Sequence, residues 1–456
     1  MLGIFALAYD RGMRKGPALL LLLIAFVSVA ATATTQPTST LELTTDRPDA
    51  IYRANDAVRF LVTLKDDAKP LAGREVEYKV IGDGEVTLSS GVVVTEAEKP
   101  AQVVVATSKP EFFRCELSYK AKSATRPTTT AAIGAAVEPE KVKASLPVPD
   151  DFDAFWAAQK KQLADAPLVE PVLTPVDLKD DAIEAFDLQI ADSIPGTNLS
   201  AYYARPKGAK PKSLPAILYS QSAGARDSDL PHAVRGAKLG AIAIDFNAHG
   251  IKNAQPAKYY ADMLSGPLAD HRVRGMQDRE KVYFRTMYLR GQRALAFLTA
   301  QPEWDGKILI VEGSSQGGAQ SLVAAGLDHR VTLCLAAVPA LSDLTAALVG
   351  RESGWPKMLR KAADGSIDEK AVQALRYVDV ANFASRIRCR TMVSVGFIDR
   401  TCPPSSVYAA YNNIPATTPK TIVARPAMGH QFPPDMIAAW DDIIRAHVAE
   451  MRQKQP

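Results

Sequence analysis

The residues with the clearest chemical potential are Gly313-Ser-Ser315-Gln-Gly317, which follow the apolar run Ile308-Leu-Ile-Val311. This reads as a strand running into G-x-S-x-G and then into a helix. The spacing has a physical reason. A serine held at a tight strand-to-helix turn projects its hydroxyl above the sheet, and glycines two residues to either side remove side chains that would collide there. The N–H of Gln316, at the helix start, then points toward an oxyanion developing on a carbonyl attacked by Ser315. An alkyl hydroxyl needs a base, and the base needs an orienting group. Two later positions supply them in the required chain order: Asp399, just past Met392-Val-Ser-Val395, and His430, past Thr421-Ile-Val423. Ser315 is read as the nucleophile, His430 as general base and acid, and Asp399 as the group that orients the imidazole. The chemistry expected is acyl transfer through a covalent intermediate, with no cofactor.

The other candidates are weaker. His249, in Asp245-Phe-Asn-Ala-His-Gly250, lies past a strand end and is read either as pocket lining or as part of a turn. His232 and His271 fall in polar stretches read as loops, while His329 and His447 read as solvated. No H-x-x-x-H, C-x-x-C or carboxylate cluster points to a metal, so no metal site is assigned. Cys115 and Cys334 fall on apolar strands and read as buried thiols. Cys389 and Cys402 bracket one strand, which at ~3.3 Å per residue holds them beyond the ~6 Å reach of a disulfide. Cys402, beside Pro403-Pro404, is expected to shape the loop of Asp399.

Six uniformly apolar runs must position these side chains: Ala216–Tyr219, Ala241–Ile244, Ile308–Val311, Leu333–Ala336, Met392–Val395 and Thr421–Val423. Helical stretches such as Tyr288–Ala300 and Gln320–Leu327 lie between several of them. Strands buried on both faces and alternating with helices make a mainly parallel α/β sheet, with ligand sites past the strands' carboxyl ends. Residues 37–137 follow another rhythm. Val58, Phe60, Val62 and Leu64 alternate with polar residues, as do Val76 and Val80, and then Phe113, Cys115, Leu117 and Tyr119. Short alternating strands separated by turn clusters imply an antiparallel, immunoglobulin-like β-sandwich. It holds no histidine and no catalytic constellation. Residues 138–149, rich in Pro, Glu and Lys, read as a linker, and 150–452 as the α/β domain.

At the N-terminus, Arg11, Arg14 and Lys15 precede the apolar run Ala18–Ala30 and the small residues Ala31-Thr-Ala33. This is the pattern of a signal peptide over residues 1–33, its apolar run too short for the ~18 to 20 residues of a spanning helix, with an uncleaved membrane anchor as the other reading. The expected location is secreted or periplasmic, with no membrane partner once the signal is removed. The 456 residues carry 54 Lys plus Arg against 50 Asp plus Glu, so no nucleic-acid partner is indicated. With 47% hydrophobic and 23% charged residues, fibrous and mainly disordered classes are excluded.

Several segments carry a family likeness. They are Pro149-Asp-Asp-Phe-Asp-Ala-Phe-Trp156, Tyr288–Leu298, Gly313-Ser-Ser-Gln-Gly-Gly318, Ala337-Val-Pro339, Val395–Ser405 with its Asp-x-x-Cys-Pro-Pro, and Gly429-His430. From about Pro149 to Met451 the chain resembles the acetyl xylan esterase and cephalosporin-C deacetylase family, carbohydrate esterase family seven. The resemblance implies an α/β-hydrolase fold that removes acetyl groups from sugars, with Ser315, Asp399 and His430 as its triad. It also implies that the loop Tyr219–Ala225 completes the oxyanion site, with the N–H of Ser222 beside that of Gln316 and with Gln221 lining the pocket. Three places depart from the family pattern. Asn247-Ala248-His249 stands for Arg-Gly-Gln, Gln431 for a glutamate, and Ser222 for a tyrosine; Arg290-Gly291-Gln292 repeats the first motif's letters within a helix. The expected partner is an acetylated carbohydrate or small ester, and a homo-oligomer is compatible with the sequence. Two other readings stay open: the same triad acting on another ester or a peptide, or a glycan-binding protein with an inert hydrolase domain.

Overall fold

The computed structural model describes residues 39–121, 128–166 and 169–453. The expected export signal, residues 1–33, lies outside the described residues. Period-two hydrophobicity builds the first strands: β1 (Ser39–Thr45), β2 (Ile51–Tyr52), β3 (Val58–Asp66), β4 (Lys69–Pro70), β5 (Glu75–Ile81), β6 (Thr87–Val94), β7 (Ala101–Val105), β8 (Glu111–Tyr119) and β9 (Thr129–Val137). One sheet holds β1, β3, β4 and β7, and the other runs β2-β9-β8-β5-β6. Val58, Phe60, Val62 and Leu64 of β3 point inward, as do Val76 and Val80 of β5 and Cys115 of β8, so alternate apolar side chains form the sandwich interior. β8 and β9 depart from the alternation, because Phe112–Cys115 and Ile133–Val137 are buried on both faces. The second face lies against the α/β domain rather than against water.

The stretch 138–149, expected as a linker, is pinned to that domain. Pro139 and Val142 offer their carbonyls to Asn412 Nδ2 at 2.9 and 2.8 Å. Ser145 gives its N–H and its hydroxyl to Asp343 Oδ1 at 2.7 and 2.6 Å.

Beyond it run α1 (Phe152–Asp165), β10 (Val172–Val176), β11 (Ile183–Ile190), β12 (Leu199–Pro206), β13 (Leu214–Ser220), α2 (Leu230–Lys238), β14 (Ile242–Phe246), α3 (Ala257–Ser265), α4 (Tyr283–Ala300), β15 (Trp304–Ser314), α5 (Gln316–Leu327), β16 (Leu333–Ala337), α6 (Glu369–Leu375), α7 (Val380–Ala384), β17 (Arg390–Gly396), α8 (Pro404–Asn413), β18 (Lys420–Arg425) and α9 (Pro434–Gln453). The sheet order is β10-β11-β12-β14-β13-β15-β16-β17-β18. The six strands from β14 across to β18 pair in parallel and contain the six apolar runs; β10, β11 and β12 extend the sheet antiparallel.

A charged tie runs through this domain. Glu312 of β15, 2% exposed, accepts Arg235 of α2 at 2.7 and 3.3 Å, and Arg235 also meets Asp441 of α9 at 2.7 Å. Burial pushes the Glu312 carboxyl above its usual range even against the Arg235 guanidinium. Met436, Trp440 and Ile444 of α9 pack on the same side of the sheet as Ile308, Ile310 and Leu333. Two histidine expectations change here. His447 is not solvated: it is buried one turn beyond Ile444, with Nε2 3.0 Å from Thr332 Oγ1. His232 lies in α2 rather than a loop. Asp229 caps that helix by accepting the His232 N–H at 3.1 Å, and His232 Nδ1 sits 3.1 Å from buried Asp245.

Candidate active site

β15 ends at Ser314 and α5 begins at Gln316, so Ser315 alone makes the turn, with φ 58° and ψ −120°. That conformation is strained for a residue with a Cβ and persists because its surroundings hold it. The Ser315 N–H donates to Ala337 O at 2.9 Å, and its carbonyl accepts from Ala319 and Ala340, both at 3.0 Å. The motif's glycines answer to close approach. A Cβ on Gly313 would stand 2.9 Å from Gly317 Cα, and one on Gly317 2.9 Å from the carbonyl carbon of Ser220. Their absence lets the first turn of α5 rest on the end of β13, which brings Gln316 beside the Ser220–Ser222 segment.

Asp399 follows β17 and His430 follows its neighbour β18. His430 Nε2 lies 2.8 Å from Ser315 Oγ, and its Nδ1 lies 2.7 Å from Asp399 Oδ2. The other oxygen, Asp399 Oδ1, accepts the N–H groups of Thr401 and Cys402 at 2.8 and 2.9 Å. The carboxylate is therefore fixed from both sides, and Cys402 shapes its loop through its backbone. The tautomer with the proton on Nδ1 satisfies both imidazole contacts and leaves an Nε2 lone pair for the serine hydroxyl. The imidazole side chain is 26% exposed, and it opens on a cavity of about 330 Å³ lined by Ser222, Trp355, Thr401, Gln431 and Phe432 among others.

Ser222 thus borders the cavity, while its hydroxyl donates to Ser314 O at 2.9 Å. Gln316 is fully buried at the start of α5, where helix N–H groups have no intrahelical acceptor. Gln221 and His249 do not line this cavity. Gln221 ties loops together: Oε1 accepts the Ala248 N–H at 3.2 Å, Nε2 donates to Asp227 O, and its carbonyl accepts Gln320 Nε2 at 3.0 Å. His249 is buried, with Nδ1 2.7 Å from the Tyr283 hydroxyl and its ring 5.0 Å from that of His271. Burial, reinforced by His271, Arg290 and Arg226, pulls the His249 imidazole down to about 3 and keeps it neutral. Asn247 Oδ1 accepts the His249 and Ile251 N–H groups at 3.0 and 3.3 Å, so this departure from the family pattern builds a turn. Arg290 does lie in a helix, α4, but it reaches that same turn, donating to the carbonyls of Ala248 and Gly196 and to Asn198 O at 2.8 Å.

Trp355, Thr401 and Phe432 are cavity residues that sequence reasoning passed over. Thr401 had a signal, its place between Asp399 and Cys402. Trp355 had none, since it stands in an irregular stretch fixed by distant backbone: its N–H donates to Thr401 O at 2.9 Å and its carbonyl accepts from Leu341 at 2.8 Å. Asp399, Cys402 and His430 put potential metal donors within 4.8 Å of one another. Both carboxylate oxygens are already engaged, and burial pushes the Cys402 thiol well above its ordinary range, so the trio is suited to a hydrogen-bond relay rather than to a metal.

Residues 138–440 match the acetyl xylan esterase (AXE1) family. The acetyl esterase Axe7A of Xylanibacter ruminicola is 31% identical over 359 residues, which cover 78% of this chain and 79% of that protein. An acetyl xylan esterase from Paenibacillus sp. R4 has a similar structure, with a TM-score of 0.57 at 29% identity over 68% of this chain and 98% of its own. Acetyl xylan esterase 1 from Thermoanaerobacterium sp. JW/SL YS485 shares the fold, again at a TM-score of 0.57, with 24% identity and the same coverage of 68% and 98%. A match that takes in the linker and most of the domain bearing the three side chains means that the chain belongs to the acetyl xylan esterase family, as a carboxylesterase of the α/β-hydrolase fold.

Proposed function

We propose that this protein is an exported serine esterase that removes acetyl groups from a carbohydrate through an acyl-enzyme. The observation that carries the reading is the unbroken chain Ser315 Oγ to His430 Nε2 at 2.8 Å and His430 Nδ1 to Asp399 at 2.7 Å. Ser315 attacks the ester carbonyl while His430 takes its proton. Asp399 holds the ring and stabilises the imidazolium. The N–H groups of Gln316 and Ser222 receive the oxyanion, at roughly 3 kcal/mol per donor. His430 returns the proton to the departing sugar oxygen, which leaves as a hydroxyl, and water, activated by the same imidazole, releases acetate. A small cavity walled by Trp355 and Phe432 suits a short acyl group next to a sugar ring. The carbohydrate is supported by the family and by the names of the relatives. Export is supported by the basic flank and short apolar core of residues 1–33.

The test is acetate release from polymeric and short acetylated glycans, beside p-nitrophenyl esters of increasing acyl length and peptide amides, with Ser315→Ala as control. Acetate release lost in the variant, together with stoichiometric fluorophosphonate labelling of Ser315, is the expected result. Turnover confined to long acyl esters or amides would replace the substrate, and absence of labelling in folded protein would favour a binding role. The mature N-terminus of the chain recovered outside the cytoplasm tests export.

A further inference from the structure

Two turns hold the acid and the imidazole: the one from Phe397 to Asp399 beyond β17 and the one from Pro426 to His430 beyond β18. Both touch the same strand of the β-sandwich. Gly134 of β9 donates its N–H to Pro426 O at 2.8 Å, and a Cβ on Gly134 would stand 2.6 Å from the carbonyl oxygen of Phe397. Beside it in the sheet, Phe112 of β8 packs edge-on against Phe397 with ring centroids 5.6 Å apart, and against Tyr408 at 5.4 Å. Further along the same face, Glu85 accepts Arg114 at 2.9 and 2.7 Å and meets Arg400, the residue after Asp399, at 3.2 Å. These contacts account for the double burial of β8 and β9.

Turns at the end of a sheet are ordinarily its most mobile parts, yet a triad works only while its members stay within a fraction of an ångström of their places. Here the exposed backs of both turns are covered by a layer that lies almost wholly outside the family match at residues 138–440. We propose that the β-sandwich is a positioning part of the catalytic unit, in which Gly134, Phe112 and Glu85 brace the Asp399 and His430 turns against Ser315. This rests on the triad reading above.

The test uses the full chain, with kcat and KM for p-nitrophenyl acetate, the rate of fluorophosphonate labelling at Ser315, and Tm. Gly134→Ala puts a methyl against the acid turn, and kcat and the labelling rate fall about 10- to 100-fold while KM stays within about twofold. Phe112→Ala lowers kcat in the same way, and Phe112→Leu restores most of it. Should those variants not fold, Glu85→Gln decides, since it loosens Arg400 from the surface; there kcat falls about threefold with Tm little changed. Folded Gly134→Ala and Phe112→Ala that label and turn over like the wild type, or an unchanged kcat in Glu85→Gln where those two do not fold, overturn the proposal and leave the sandwich a stabilising layer. Failure of the wild type itself to label removes the triad reading, a result distinct from equal labelling in wild type and variants.

Discussion

Two imidazoles stand past the carboxyl ends of strands in one sheet, His249 after β14 and His430 after β18. Position in the fold does not tell them apart; surroundings do. His430 has a carboxylate behind Nδ1, a hydroxyl before Nε2 and an opening to the cavity. His249 has a phenol at Nδ1 and a buried Nε2 with no hydrogen-bond partner among the described residues, and burial first, then His271, Arg290 and Arg226, disfavour any positive charge on it. A strand end nominates a base; a neighbouring anion and an open face are what make an imidazole able to accept and return a proton.

The contrast is broken most directly at its reactive end. Ser315→Ala is expected to lower kcat by about 10⁶-fold, read as hydrolysis of p-nitrophenyl acetate, with the fold intact by circular dichroism; substantial residual turnover would mean that the hydroxyl is a bystander. Asp399→Asn removes the anion but keeps the shape, and a loss of about 10⁴-fold in kcat measures what the anion adds. The other end of the contrast is tested by stability. His249 titrates at about 3 when folded against 6.5 ordinarily, so the unfolded chain takes up the proton first. The folded state therefore loses stability as pH falls from 6.5 toward 3, by about 2 kcal/mol at pH 5. In His249→Gln the midpoint of urea unfolding should lose that part of its acid slope while kcat at neutral pH is nearly retained; an unchanged slope would assign the acid sensitivity to other groups. The smallest effect is expected at Ser222→Ala, which deletes the hydroxyl bonded to Ser314 O but keeps the N–H, at a cost of about 1 kcal/mol or less in kcat/KM. A loss comparable to that of Asp399→Asn would show the side chain, not the backbone, at work.

The parallel sheet was legible because strands buried on both faces leave unbroken apolar runs, as at Ile308–Val311 and Leu333–Ala336. The antiparallel flank was not. β10 is mostly exposed and carries Pro175, and β12 buries Ser200 within an otherwise ordinary mixture, so neither leaves a periodic trace. The positions of Ser315, Asp399 and His430 were legible because each lies just past a readable strand. His447 was misread by its type although its spacing from Met436, Trp440 and Ile444 follows the buried stripe of α9. His232 was misread although Asp229 and Pro231 form a helix-start signal. Trp355 could not be found at all, since its place depends on backbone bonds to Leu341 and Thr401 rather than on any local pattern.

The tie from Glu312 through Arg235 to Asp441 joins the strand that leads to Ser315 to a helix whose residues come late in the chain. The packing of the middle of the chain therefore depends on α9. Before that helix docks, Arg235 lacks its outer carboxylate and Ile308, Ile310 and Leu333 lack their apolar cover, so the strand leading to Ser315 is fully secured only when a helix made well after it has folded onto it.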